Sequence, residues 1–277
     1  MRWLAAALVL CLTLGIARAA EDAPAPSPQG GAEAAPEPDF SQILAAAKAA
    51  SPSALMPGLG YRSFQLLAFG ITVNAWTFDQ APFRMHMAEQ KSPKGSLVAD
   101  MIGDGLFAIN GGFFERDKQR VLSPSGLLII NGKQVAPEND RGGSGVIYAG
   151  PAGLGIGYRK SLTAHPAMRD AVQVGPILVD PGGKVGVLNK QHKRDNRSAV
   201  CLTQGAFTVV VVQGGLSLFQ LASLLAAPSA AGGFGCEIAI NLDGGPSTQA
   251  ALRVPGHRMD ISGAAVENAL IVSPTSN

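Results

Sequence analysis

Charge is scarce in this chain. Asp, Glu, Lys and Arg make up 15% of 277 residues while 47% are apolar, which allows a sizeable core in one large domain or two small ones. Neither sign of charge dominates. Met1–Ala19 carries Arg2 and Arg18 and no acid, so taking it from the 22 basic residues leaves 20 against 20 acidic. That balance excludes the basic footprint of a nucleic-acid binder. Cysteine is nearly missing. Beyond Cys11 only Cys201 and Cys236 remain, which permits one disulfide in an oxidising compartment or, equally, two buried free thiols. No His/Cys spacing matches a zinc site. After the first twenty residues no run is long and apolar enough to cross a membrane, and no repeat at solenoid spacing occurs.

Glycine, by contrast, is abundant at 34 residues, which points to many turns and short strands rather than long helices. Residues 1–19 read as a secretory signal peptide: an early Arg2, an apolar run from Leu4 to Ile16, and Ala17-Arg18-Ala19 as a small-x-small cleavage signal. Residues 20–38, rich in Ala, Pro and Glu, read as a disordered linker. Residues 39–58 read as a helix over Gln42–Ala50, capped by Asp39 or Ser41, and a connector after Pro52. Residues 59–277 form the main domain. The expected location is secreted or periplasmic, with no membrane span left after cleavage.

Strands are expected at Tyr61–Phe69, Ile71–Phe78 and Pro82–Met87. In the last, Phe83, Met85 and Met87 alternate and His86 falls on the opposite, exposed face. A short helix is expected within Ser96–Ile102. Further strands are expected at Gly126–Asn131 and Gly145–Ala149. Gly153-Leu154-Gly155-Ile156-Gly157 is like a phosphate-binding loop only superficially, since no helix pattern follows. Ala171–Val179 is apolar around Gln173-Val174-Gly175-Pro176. Lys190–Arg197 reads as a basic loop. Ser198–Thr203 and Ala206–Val212 read as a hairpin about Gln204-Gly205, and Leu216–Ala227 as an amphipathic helix. The expected fold is a single α+β domain of many short, mostly antiparallel strands in twisted sheets with about three helices.

Two stretches stand out. Ile238–Leu242 is a short buried strand running into Asp243-Gly244-Gly245-Pro246-Ser247. Phe107–Ile109 is another, ending in Asn110-Gly111-Gly112. Each is a rigid strand ending in a polar residue and a glycine pair, and the chain reads as two such loops meeting at one site. Asp243, at the mouth of its strand, is the candidate catalytic base or nucleophile. Arg197 borders the apolar strand Ser198–Leu202, where a surface charge is unexpected, and its planar fork can hold two phosphate oxygens. Asn110 and Asn241 are candidates for sugar hydroxyls and Ser247 for phosphate. Gly111, Gly112, Gly244 and Gly245 are candidates for close backbone approach, with Gly175 and Pro176 at the rim. Glu115 and His192 are weaker candidates, better read as solvated. His165 and His257 sit in loops. No cofactor is indicated; Asp243 and asparagine oxygens are also compatible with a divalent cation.

Asn110-Gly111-Gly112-Phe113-Phe114, Gln173-Val174-Gly175-Pro176, Arg197-Ser198-Ala199 and Asn241-Leu242-Asp243-Gly244-Gly245-Pro246-Ser247, in this order, resemble the phosphodiester glycosidase family over roughly residues 60–273. The resemblance implies an α+β fold and hydrolysis of the sugar–phosphate bond of a glycosyl phosphodiester, with a sugar phosphate or polysaccharide as substrate. Pro246 departs from the family pattern, which often has a third glycine there. Proline removes one N–H and biases Gly245 toward extended geometry. The alternative function is a non-catalytic module binding phosphorylated polysaccharide.

Overall fold

The computed structural model describes residues 37–162, 167–188 and 193–275. The leader reading, nearly all of the linker, and His165, Lys190 and His192 lie outside these residues. The described residues belong to one compact unit beginning at Pro36.

The chain enters with α1 (Phe40–Ala49), capped by Asp39, whose backbone N–H donates to Gln42 Oε1 at 2.9 Å. Pro38 is already part of the folded unit: it is buried and its carbonyl accepts from Gln220 Nε2 at 3.0 Å. Next come β1 (Ser53–Met56), β2 (Leu59–Leu66), β3 (Ile71–Asp79), β4 (Phe83–Glu89) and the short helix α2 (Val98–Met101). Then follow β5 (Phe107–Asn110), β6 (Phe114–Arg116), β7 (Leu122–Pro124), β8 (Leu128–Ile130), β9 (Lys133–Ala136), β10 (Gly145–Gly150) and β11 (Gly153–Tyr158). The second half contributes β12 (Asp170–Val174), β13 (Ile177–Asp180), β14 (Lys184–Val185), β15 (Asp195–Thr203), β16 (Ala206–Leu216) and α3 (Leu218–Ala226). It closes with β17 (Ile238–Asn241), β18 (Ala250–Val254), β19 (His257–Ile261) and β20 (Asn268–Pro274).

These strands build an eight-stranded sheet in the order β1-β2-β3-β16-β15-β17-β13-β14 and two five-stranded sheets, β11-β10-β12-β8-β9 and β19-β18-β5-β20-β4, beside a β6-β7 ribbon. The many-stranded α+β reading holds. The large sheet is covered on both faces, which is why β16 reads as an unbroken apolar run. Phe207, Val209 and Val211 enter a core shared with the two smaller sheets, together with Trp76, Phe78, Phe83 and Phe107. Val210 and Val212 alternate to the other face, where Ile43 and Ala47 of α1 and Leu221, Leu224 and Leu225 of α3 cover them. On the outer face of the third sheet, α2 packs against Ala108, Ala251 and Ala269, side chains small enough to let it lie close.

Several sequence readings shift. Ser53–Met56, taken as connector, pairs with β2 at the edge of the large sheet. The apolar stretch 171–179 is two strands in different sheets, parted at a cis Gly175–Pro176 bond. Gly153–Tyr158 is a strand paired with β10. Leu216 ends β16, and α3 starts after Ser217, whose hydroxyl accepts from Gln220 N at 3.1 Å. Arg197 lies inside β15 opposite Val212, not in a loop. His86 is half-buried rather than exposed, and His257 opens β19. Local pattern sees one strand at a time, whereas these differences depend on which neighbour covers each face.

Cys201 of β15 and Cys236, just ahead of β17, form a disulfide with a Cα separation of 5.6 Å, closing a span of 35 residues. A loop of that size is worth about 2–4 kcal/mol through the unfolded chain. Replacing both cysteines by Ala is expected to lower urea stability by that order, and reductant should then have no further effect. Equal stability of the oxidised wild type and the double variant would show that the bond contributes nothing.

Candidate active site

The two glycine-ended strands do meet. They come from different sheets, β5 from a five-stranded sheet and β17 from the eight-stranded one. The Asp243 N–H donates to the Gly111 carbonyl at 3.0 Å, and Asn110 Nδ2 donates to the Asp243 carbonyl at 2.6 Å. Asn110 Oδ1 accepts from Ser198 Oγ at 2.7 Å and from the Gln249 N–H at 3.1 Å. Asn110 has no exposed surface. It therefore clamps the loop rather than meeting a sugar, as expected of a fully engaged buried amide.

Asn241 is used similarly. It is 4% exposed, and its Nδ2 donates to the Gly175 carbonyl at 3.1 Å and the Leu242 carbonyl at 2.6 Å. Gly175 is thereby drawn to the site's edge. Asn241 Oδ1 is buried with no hydrogen-bond partner among the described residues.

The first glycine pair serves packing. Gly111 and Gly112 are buried, and their N–H groups donate to the Asn268 carbonyl at 3.0 Å and to Asn268 Oδ1 at 2.8 Å. A Cβ on Gly111 would lie 1.9 Å from Asn268 Oδ1, and one on Gly112 2.5 Å from Val172 Cγ2. These N–H groups are thus spent on the protein and not offered to an anion. Sequence reasoning missed Asn268. Its signal was a polar pair, Glu267-Asn268, opening an otherwise apolar closing strand.

In the second glycine pair Gly244 is half-buried and Gly245 is buried. β15 pairs antiparallel with β17, with Ala199 opposite Asn241. Continuing that alignment past the end of β17 sets Arg197 beside Asp243, Asn196 beside Gly244 and Asp195 beside Gly245. The close contacts agree. A Cβ on Gly244 would lie 2.9 Å from the Asn196 carbonyl and 3.9 Å from Arg197 Nη1, and one on Gly245 3.2 Å from Asp195 Oδ1. Gly245 adopts φ +57, not the extended geometry expected ahead of Pro246. Pro246 lies in the first turn of a short 3₁₀ segment, Gly245–Ser247. An N–H there has no partner within the turn, so proline is tolerated.

Asp195, Arg197, Asp243 and Gly244 are all half-buried. Asp195 is the carboxylate that sequence reasoning overlooked, because it falls in a stretch read as basic loop. Burial raises the proton affinity of Asp243; the Ser247 hydroxyl and the Gly244 N–H, which donates to Oδ1 at 2.9 Å, oppose this, and the charge of Asp195 adds to it. Ser247 is buried, so its hydroxyl serves Asp243 directly. Arg197 donates from Nε to the Leu216 carbonyl and from Nη2 to the Lys193 carbonyl, both at 3.0 Å, which leaves Nη1 on the Gly244 side. Burial lowers the Arg197 pKa and Asp195 opposes the shift. Glu115 lies apart from this set, paired with Arg141 at 2.8 Å with its side chain 47% exposed. Among the described residues no three His, Cys, Asp or Glu side chains cluster as a metal site, and no helix is long and apolar enough to cross a membrane.

A family model described as phosphodiester glycosidase matches residues 104–273. No curated protein matches the chain. Solved structures of similar fold include the following three. The catalytic domain of zebrafish N-acetylglucosamine-1-phosphodiester alpha-N-acetylglucosaminidase, auto-inhibited by its pro-peptide, aligns with TM-score 0.58 and 18% identity over 81% of this chain and 87% of that one. A hypothetical protein from Synechocystis aligns with TM-score 0.54 and 17% identity over 80% of this chain; the match spans 63% of that longer protein. A Burkholderia pseudomallei protein assigned as exported aligns with TM-score 0.51 and 13% identity over 74% of each chain.

Glu267 gives the site a pH-dependent support. It is 1% exposed, and Asn268 Nδ2 donates to its Oε2 at 2.6 Å. Burial pushes its pKa from 4.5 up to about 7, with Glu89 adding to the rise and Asn268 opposing it. The folded state thus holds the proton more tightly than the unfolded chain. The resulting stability is complete below about 4.5 and is lost as pH rises through about 7, on the order of 3 kcal/mol. Glu267→Gln keeps an acceptor for Asn268 and should flatten the fall in melting temperature across that window. An unchanged pH–Tm curve would assign the effect elsewhere.

Proposed function

Because this chain belongs to the phosphodiester glycosidase family, a family of glycosidase-type hydrolases, we propose that it hydrolyses the bond between a sugar's anomeric carbon and a phosphodiester. The observation that carries this reading is the pairing along β15 and the β17 loop, which sets a cation, Arg197, and two carboxylates, Asp195 and Asp243, on one half-buried surface. Hydrolysis of such a bond needs the phosphate charge held, positive charge at the anomeric carbon stabilised, and water activated. Arg197 is suited to the first task through Nη1, as its other donors already lock it to main-chain carbonyls. The carboxylates are suited to the other two, as in glycosidases generally. The leaving group is a phosphate monoester, a weakly basic anion, so it needs little protonation and no third acid is required.

In this reading Asp243 is the base or nucleophile. Its raised proton affinity makes it a better proton acceptor than a fully solvated carboxylate. Asp195 stabilises the developing positive charge. Gly244 lies against the Asn196 carbonyl, which a Cβ would approach to 2.9 Å, and so lets the β15 backbone pack closely beside Asp243. Asn110, Asn241, Gly111 and Gly112 hold the two loops in place behind this surface, and Ser247 tunes Asp243. The substrate class, sugar 1-phosphodiesters, follows the chemistry that the name of the zebrafish enzyme states. Export to a secreted or periplasmic location is supported by the leader-like residues 1–19 and by the disulfide. Two carboxylates beside the proposed anion site count against a pure binder of phosphorylated polysaccharide, since they would repel its ligand.

The test is release of free sugar from a panel of sugar 1-phosphodiesters. Asp243→Asn should lower turnover about 100- to 10,000-fold with melting temperature nearly unchanged, since Asn can still accept from Gly244. Turnover near wild type would remove Asp243 from the chemistry. Arg197→Lys keeps the charge but not the locked fork, and is expected to raise KM more than it lowers kcat. Asp195→Asn should move the acidic limb of the pH–rate profile to lower pH, because it removes the charge that raises Asp243's proton affinity. A limb that stays in place in an active Asp195→Asn enzyme would separate the two carboxylates.

A further inference from the structure

The strands that carry the site end, at their far side, in a second cleft. It encloses about 460 Å³ where β4, the β10–β11 turn, the start of β12 and Phe207 of β16 come together, lined among others by Arg84, His86, Asn131 and Arg169. Asp170 opens β12, and Gly175 at the Asp243 site follows the end of the same strand. One strand of this length separates the two by about 15 Å. Phe207 pairs with Leu202, at the end of β15 away from Arg197.

The cleft has the charge and size to take a small organic anion. Arg84 and Arg169 are both exposed at its mouth. Arg169 is steadied by Nη2, which donates to Asn131 Oδ1 at 3.2 Å, and by Asp170 Oδ2 at 3.7 Å from Nε. Arg84 makes no ion pair among the described residues. The one carboxylate in the wall, Asp170, is 3% exposed and turned inward, its Oδ1 accepting from the Met87 N–H at 3.1 Å and the Asn131 N–H at 3.3 Å. Its charge is therefore largely spent inside the protein, and the opening is net positive. His86 lines the cleft half-buried; its Nδ1 is buried with no hydrogen-bond partner among the described residues, which leaves Nε2 as the ring nitrogen for a ligand. Burial lowers the His86 pKa; Asp170 opposes the shift, and Arg84 and Arg169 add to it. The ring is thus a neutral hydrogen-bonding group beside two cations. The volume exceeds what an inorganic ion fills and lies within the range of small-ligand sites. Phe83 and Phe207 of the core underlie the cleft and close it from beneath.

We propose that this cleft is a second binding site, separate from the Asp243 centre, for a small organic anion of sugar-phosphate size. Arg84 and Arg169 grip the phosphate or carboxylate, and His86 and Asn131 meet the neutral part. The inference stands or falls independently of the hydrolytic reading, since it uses none of the same residues.

Calorimetric titration of the full chain with glucose 6-phosphate, glucuronate and neutral glucose tests it, with the His86 ring signals followed by NMR. At least one of the two anions should bind at millimolar concentration or below and shift His86, while glucose does not; which anion binds distinguishes phosphate from carboxylate. Arg84→Ala combined with Arg169→Ala should weaken that binding about tenfold or more, as loss of charge-assisted hydrogen bonds does, with melting temperature unchanged. Arg84→Glu should weaken it further, and Asp243→Asn should leave it intact. The proposal is overturned if neither anion binds or shifts His86, if glucose binds equally well, or if Asp243→Asn and not the arginine variants abolishes binding.

Discussion

The alignment of β15 against β17 is the constraint on which the site depends. Antiparallel pairing is a one-to-one correspondence, and here it persists for several residues beyond the strand. Once Ala199 stands opposite Asn241, Arg197 must stand near Asp243 and Asp195 near Gly245. A slip of one place would send these side chains to the opposite face. That slip is resisted because both faces of the sheet are buried, with Val200 and Ile240 in the central core and Ala199, Cys201 and Ala239 under the helices. The Cys201–Cys236 bond ties β15 covalently to the segment just ahead of β17. Hydrophobic burial thus sets the register, and the register places the charges.

A second constraint joins the sheets. Asn110 links the Asp243 loop, Ser198 of β15 and Gln249 in one buried set of hydrogen bonds. Losing one partner of such a group leaves polar atoms unsatisfied in the core, at about 1–3 kcal/mol each. Asn268 does the same for the Gly111–Gly112 turn. The loops are therefore braced from behind by asparagines that face no solvent, while Asp195, Arg197, Asp243 and Gly244 are half-buried. The arrangement separates positioning from chemistry: buried amides hold the backbone, and half-buried charges carry the proposed reaction.

Partial burial also sets the electrostatics. Asp243 sits between opposing influences, with burial and Asp195 favouring its protonated form and the Gly244 N–H and Ser247 hydroxyl favouring the carboxylate. At the far end of the strands Asp170 resolves the same conflict differently, turning inward onto two backbone N–H groups. Asp243 is left half-buried beside Arg197 and Asp170 is used as a structural tie; each meets two donors, and the difference lies in how deeply each is buried.

Much of this was legible in the residues alone. The alternation of Phe83, Met85 and Met87, the Gln204-Gly205 hairpin, and the two apolar stretches ending in glycine pairs each carry their own local physics. The family match over residues 104–273 agrees with the resemblance those motifs carry. The meaning of the motifs was less legible. Gly111 and Gly112 look like an opening for a ligand but are the space that Asn268 occupies. Asp195 reads as one charge in a basic loop, and His86 as an exposed residue on a strand, until neighbouring sheets surround them. The sequence by itself determined many of the strands, the Gln204-Gly205 turn and which residue types gather at the two glycine turns, because those depend on side-chain pattern and backbone preference within a few residues. Only the tertiary structure decided what each glycine packs against, which asparagines are braces, and which carboxylate stands beside Asp243, because those depend on register and burial between segments far apart in the chain.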